Sequence, residues 1–227
     1  MPLDAWPTET YAEWKPSGPY VGQRNSRAVL RLGKQFLRRT VLDAGCGDGA
    51  MIQALREFHP HVWAVGIDLA PAAVRNAVGG SLAQLPFRSG SFDCVLMMDV
   101  LEHLPVELTN PILREFARVL KAGGTLCVTL PNAEDLNKAV VQCPHCGKSF
   151  HPVGHTQSFS AGDLRRTLAE AGFRDVQIRS YGLDAYYHFG AAARLISAVG
   201  RVVFPLMRWD EWLFASARPG VAEPTGH

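Results

Sequence analysis

Val41-Leu42-Asp43-Ala44-Gly45-Cys46-Gly47-Asp48-Gly49-Ala50 is an apolar run that breaks into three alternating glycines and then resumes with helical periodicity. That is the pattern of a strand, a tight loop and a helix. Glycines at 45, 47 and 49 remove Cβ atoms, so a ligand can approach the backbone closely, and the following helix N-terminus offers unpaired N–H groups. Outward from this loop, short β-rich runs alternate with helix-like segments. The strand-like runs are Thr40–Ala44, Val62–Ile67, Ala77–Ser81, Phe92–Met98, Thr125–Leu130, Val176–Ser180 and Trp212–Ala217. The helix-like ones are Ala50–Phe58, Ala70–Ala77, Pro111–Leu120, Ala161–Ala171 and Phe189–Met207. This alternation predicts a Rossmann-like, doubly wound α/β domain with helices on both faces of a parallel sheet. Pro71 suits a first helical turn, Ser160 an N-cap and Gly172 a C-terminal stop.

A chain of 227 residues that is 47% hydrophobic can bury the core that one such domain needs. Its 23 basic and 21 acidic residues leave a formal net charge of +2, which argues against the broad positive field of a non-specific nucleic-acid binder. Met1–Trp14 carries Asp4, Glu9 and Glu13 with no apolar run, unlike a signal peptide. Phe189–Met207 is interrupted by Arg194 and Arg201, unlike a membrane span, so a cytoplasmic protein is expected. Five cysteines are an odd number for a disulfide framework, and Cys46, Cys94 and Cys127 stand singly in core-like segments as reduced thiols.

The glycine loop alone suits two ligands. Gly45, Gly47 and Ala50 also satisfy a dinucleotide fingerprint, and Asp68, at the end of the next strand, would take a ribose in either case. Asp43 separates the two readings. A carboxylate just before the first glycine repels a pyrophosphate, but it suits the ammonium and sulfonium of S-adenosylmethionine through charge-assisted hydrogen bonds. From this point the chain resembles the class I S-adenosylmethionine-dependent methyltransferases, between Thr40 and Phe173. The likeness runs through Gly66-Ile67-Asp68, Leu85-Pro86-Phe87 with Ser91-Phe92-Asp93, Asp99-Val100-Leu101-Glu102-His103-Leu104, and Leu113-Arg114-Glu115 through Lys121-Ala122-Gly123-Gly124. The resemblance implies a seven-stranded sheet, mostly parallel with an antiparallel last strand. It also implies that the glycine loop, with Gly45, Cys46 and Gly47 after Asp43, holds the methionine part of the cofactor and that Asp68 holds both ribose hydroxyls, with Leu69 also at the cofactor. Ser81 and Leu82 would face the adenine, and Asp99 and Val100 would flank the sulfonium. Ser81-Leu82 departs from the acid and small residue that the family often has there.

Asp99, Glu102 and His103 form a D-x-x-E-H cluster with three open readings. The acids order the loop and His103 caps it; or His103 is a general base for an oxygen or nitrogen nucleophile. In the third, the cluster resembles small-RNA 2′-O-methyltransferases and ubiquinone-pathway O-methyltransferases, in which acid-x-x-Glu-His holds a divalent metal at the acceptor hydroxyl. Asp99 stands where those enzymes have a first glutamate, and further ligands would be needed.

Cys143, Cys146, His151 and His155 have the spacing C-x2-C-x4-H-x3-H, which predicts a closed, structural Zn²⁺ site in an insert over 133–158. A redox CxxC is the runner-up. His155 is also readable as a structural residue before Phe159-Ser160, and the spacing also resembles a nucleic-acid-binding zinc knuckle.

The expected organisation is an N-terminal arm and basic helix (Arg24–Arg39) over 1–39 that caps the substrate, a methyltransferase domain over 40–218, and a disordered tail over 219–227. Tyr11, Tyr20, Tyr186 and Tyr187 are candidates to line the acceptor pocket. The expected partner is a small-molecule acceptor, including saccharide or lipid-linked ones, with nucleic acid not expected and a membrane surface open through the arginine-bearing Phe189–Met207. The alternatives are an RNA methyltransferase that uses the insert to bind nucleic acid, and a non-catalytic zinc-bearing binding module.

Overall fold

The structure, a computed structural model, describes Ser26 and residues 29–71, 73–138, 140–142, 145–147, 149–182 and 212–220. Its main sheet is laid down from the middle. β1 (Thr40–Ala44) pairs in parallel with β2 (Trp63–Asp68) on one side and β4 (Phe92–Met98) on the other. β2 carries β3 (Ala77–Gly79) at the edge, and β4 pairs in parallel with β5 (Leu120–Pro131). β9 (Trp212–Pro219) runs antiparallel to both β5 and β8 (Phe173–Tyr181), so the seven-stranded order is β3-β2-β1-β4-β5-β9-β8. This is the expected architecture. A separate two-stranded ladder, β6 (Val141–Gln142) with β7 (Ser149–Phe150), lies in the insert.

The two faces of the sheet are filled by alternate residues of the same strands. Leu42, Ala44, Val95 and Met97 join the core under α2 (Val106–Val119) and α3 (Ala161–Glu170). Val41, Cys94 and Leu96 join the opposite core with Met51, Ile52 and Leu55 of α1 (Ala50–Phe58). Strands buried on both sides are therefore apolar at successive positions, which is why they read as runs in the sequence. Cys46, Cys94 and Cys127 are buried free thiols.

Local differences from expectation have physical causes. Ala70–Ala77 is not a helix: around residue 72 it is bends and turns. Asp68 captures the Ala70 N–H, the Gly66 N–H takes the Asn76 carbonyl, and Asn76 adopts a φ of 69°, so the segment is drawn into the sheet edge instead. α2 starts at Val106, ahead of Pro111. Pro105 caps it, Glu107 complements the helix dipole, and burial of Ile112, Leu113, Phe116 and Val119 outweighs the hydrogen bond lost at Pro111. The N-terminal helix, described at 26 and 29–32, breaks at Gly33 into a 3₁₀ turn, Lys34–Phe36, well before Arg39. Phe189–Met207, the four candidate tyrosines, the arm and residues 221–227 lie outside the described residues. Pro219, expected in the disordered tail, instead ends β9 beside β8, and Gly220 follows it with its N–H on the Gly172 carbonyl. Among the described residues no helix is long and apolar enough to cross a membrane.

Candidate functional site

The chain order reverses between β1 and β4, so their carboxyl ends open a crevice at the topological switch point, the usual ligand position in open α/β sheets. Asp43 is the last residue but one of its strand there, only 3% exposed, with Oδ2 lacking any hydrogen-bond partner. Burial, reinforced by Asp68 and Asp48, raises its pKa to about 7. A buried carboxyl oxygen without a partner is costly, and an incoming cation would relieve it.

The loop after β1 is bare by necessity. Gly45 sits at φ 81°, and a Cβ there would come within 2.4 Å of a Val100 methyl, so this glycine lets the segment after β4 close over the loop. Asp68 Oδ2 accepts the Gly47 N–H at 3.0 Å and its Oδ1 accepts the Ala70 N–H at 3.0 Å, which holds the acid against the glycine turn. The Cys46 thiol, desolvated and beside Asp43, is pushed up to about 12 and stays protonated. Leu69 is exposed, Leu82 is buried, and Ser81 opens a turn whose hydroxyl accepts the Ala83 N–H. Asp99 adopts a φ of 55° and is clamped to Thr129, whose hydroxyl donates to Oδ1 at 3.1 Å. The structure thus gathers the loop residues, Asp68, Asp99 and Val100 around one crevice.

A second constellation lies on the segment after β4. Glu102 is 1% exposed and neither carboxylate oxygen has a hydrogen-bond partner, so burial and the nearby Asp99 raise its pKa well above the usual range. Its backbone carbonyl accepts the Thr156 and Gln157 N–H groups at 2.8 and 3.1 Å, which brings the end of the insert against it. His103 Nδ1 meets the Gly154 carbonyl at 3.2 Å, and its ring packs edge-on against His155 at 4.7 Å. Burial lowers the pKa of His103 to about 4. A ring that stays neutral so far into acid is a poor proton acceptor, which weakens the general-base reading.

His155 stacks on His151 at 4.8 Å, hydrogen-bonds Glu134 through Nδ1, and sets Nε2 4.0 Å from Glu102 Oε1. Two groups of described residues have ligand atoms within 4.8 Å of one another: Glu102, His103 and His155, and Glu134, His151 and His155. The structure brings His151 and His155 together but places exposed Cys146 in neither group; Cys143 lies outside the described residues. Glu134 escaped the sequence reading because it stands in no motif and gains its role only through contacts 17 and 21 residues away.

A family model described as a methyltransferase domain matches residues 18–178. A probable S-adenosylmethionine-dependent methyltransferase of Mycobacterium tuberculosis is 33% identical over 164 residues, covering 69% of this chain and 57% of that protein. A ubiquinone biosynthesis O-methyltransferase of Xanthomonas campestris is 40% identical over 106 residues, covering 40% of this chain and 43% of that protein. The chain thus spans less than two thirds of the length of these relatives. The crystal structure of an S-adenosylmethionine-dependent methyltransferase from Archaeoglobus fulgidus is similar at a TM-score of 0.62 and 18% identity, covering 86% of this chain and 93% of that one. The match over residues 18–178, on a sheet of this order with an acid ahead of its glycine loop, shows that the chain belongs to the methyltransferase-domain family, on the fold of the class I S-adenosylmethionine-dependent enzymes.

Proposed function

We propose that the chain transfers the sulfonium methyl of S-adenosylmethionine to an O, N or C nucleophile of a small-molecule acceptor. The observation that carries this reading is Asp43, a buried carboxyl with a partnerless oxygen beside bare glycines, where a cationic ligand fits. Transfer is an in-line displacement, and holding the acceptor against the donor supplies much of the rate, about 7–11 kcal/mol in model systems. A base is needed only where the nucleophile arrives protonated. The near-balanced net charge of +2 favours a small acceptor over RNA. Likeness to a protein named as a ubiquinone biosynthesis O-methyltransferase supports the same choice. Asp68→Ala should abolish cofactor binding in calorimetry; wild-type affinity in that variant would end the assignment.

The buried Glu102 side chain, with no hydrogen-bond partner and with His155 Nε2 4.0 Å from Oε1, favours a second component, a divalent cation on the acceptor face. Glu102, His103 and His155 would hold it, and such an ion, when bound, polarises an acceptor oxygen. The alternative seat is a structural zinc on Cys143, Cys146, His151 and His155, supported by their spacing. Metal analysis separates the two. Loss of metal in Glu102→Ala points to the acceptor face, whereas loss in the Cys143→Ser/Cys146→Ser double variant points to the insert.

A further inference from the structure

One acid outside every motif faces the paired imidazoles of the insert. Glu134 follows the end of β5, and its backbone is fixed to the far end of the insert. The Ala133 N–H donates to the Phe159 carbonyl at 2.9 Å, the Ser158 hydroxyl donates to the Glu134 carbonyl at 2.7 Å, and Asn132 bridges to Phe159. From this anchored position the carboxylate hydrogen-bonds one imidazole and stands beside a second, whose Nε2 has no hydrogen-bond partner. Oε2 accepts the Nδ1–H of His155, and Oε1 stands 3.5 Å from Nε2 of His151. The side chains of both rings are under 10% exposed, at 9% and 7%.

The tautomers follow from the remaining bonds. His151 Nδ1 accepts the backbone N–H of His155 at 3.2 Å, so a neutral His151 carries its proton on Nε2, the nitrogen that faces Glu134. His155, donating through Nδ1 to a carboxylate, keeps its lone pair on Nε2, which faces Glu102 Oε1 at 4.0 Å. A buried ring deprived of that carboxylate would have an N–H without an acceptor, and either tautomer or ring flip would become competitive.

We propose that Glu134 is the positioning residue of this face: it fixes His155 in the Nδ1–H tautomer, so that the Nε2 lone pair is presented to the Glu102 corner. What that corner is used for rests on the methyltransferase reading, but the tautomer does not. The test is nitrogen-15 NMR of the full chain with labelled histidine, at alkaline pH. Wild type and Glu134→Gln, which keeps an acceptor oxygen, should show His155 protonated on Nδ1; Glu134→Ala should lose that signature. The same proteins titrated with Mn²⁺ should show affinity lower by about 10–100-fold in Glu134→Ala, the usual effect of removing an outer carboxylate from a metal-facing histidine. S-adenosylmethionine affinity should be unchanged. A wild-type His155 protonated on Nε2 overturns the proposal, even where Glu134→Ala fails to fold. So does an alanine variant that keeps the Nδ1–H signature. If the tautomers behave as stated but wild type binds no Mn²⁺, the cation reading falls and the positioning role of Glu134 stands.

Discussion

Asp43 has a pKa raised to about 7 by burial, against the ~3.9 of a free aspartate. From about pH 4 upward the unfolded chain releases this proton while the folded chain holds it, so the fold loses stability as pH rises through that window, and the loss is complete above about 7. A cationic cofactor binds the ionised form and works in the opposite direction. Its affinity should therefore rise by about tenfold between pH 6 and 8, the change in ionised fraction for a group of this pKa. Calorimetry across that range checks it, with Asp43→Asn expected to bind more weakly and without this slope. A flat wild-type profile would show that Asp43 does not face the ligand's charge. This residue was legible in the sequence because its meaning lies in its distance from Gly45. Glu102 was legible as a member of the D-x-x-E-H cluster, as a loop-ordering acid or a metal ligand, but its burial was not, since it depends on an insert that returns more than fifty residues later.

Among the elements, α2 does more than cover the sheet. Glu115 Oε2 accepts the Leu85 N–H at 2.9 Å, while Arg118 pairs with Glu115 and donates to the carbonyls of Leu85 and Phe87 at 3.1 and 2.8 Å. The blocks Leu85-Pro86-Phe87 and Leu113-Arg114-Glu115, which helped carry the family resemblance, are thus two halves of one latch. Arg118→Ala should cost about 1–3 kcal/mol in denaturant unfolding, because it strands the partners of several hydrogen bonds. It should also speed hydrogen exchange at Leu85. Unchanged exchange there would mean that Glu115 and packing hold the loop without Arg118. Element type was readable wherever burial on both sheet faces or a cap such as Ser160 with Asp163 left a local trace. It failed at Ala70–Ala77 because a side-chain bond from Asp68 and a strand pairing, neither visible in periodicity, decided the backbone.

At the scale of the whole molecule, the residues proposed to hold the donor lie on the loops after β1 and β2 and at the start of the segment after β4, and those proposed to face the acceptor lie further along that segment at 102–103, at 134 and in the insert at 151–155. Where zinc occupies the Cys143/Cys146 seat, the Cys143→Ser/Cys146→Ser double variant should lose stoichiometric metal and melt at a lower temperature while cofactor affinity changes little. Full zinc content in that variant would exclude the cysteines as ligands, and lost cofactor binding would show that the two segments are not separable. The insert's own ends have a further consequence. The chain leaves at Glu134 and returns at Ser158, where a hydroxyl and a carbonyl lie 2.7 Å apart. Its departure and return thus share one pinned doorway, and the sheet beyond takes no strain from the length of the excursion between them. Doubling such a loop costs only about 0.6 kcal/mol. A change of length between Asp135 and Phe150 should therefore leave the pairing of the seven-stranded sheet undisturbed, because that sheet meets the excursion only at its closed ends.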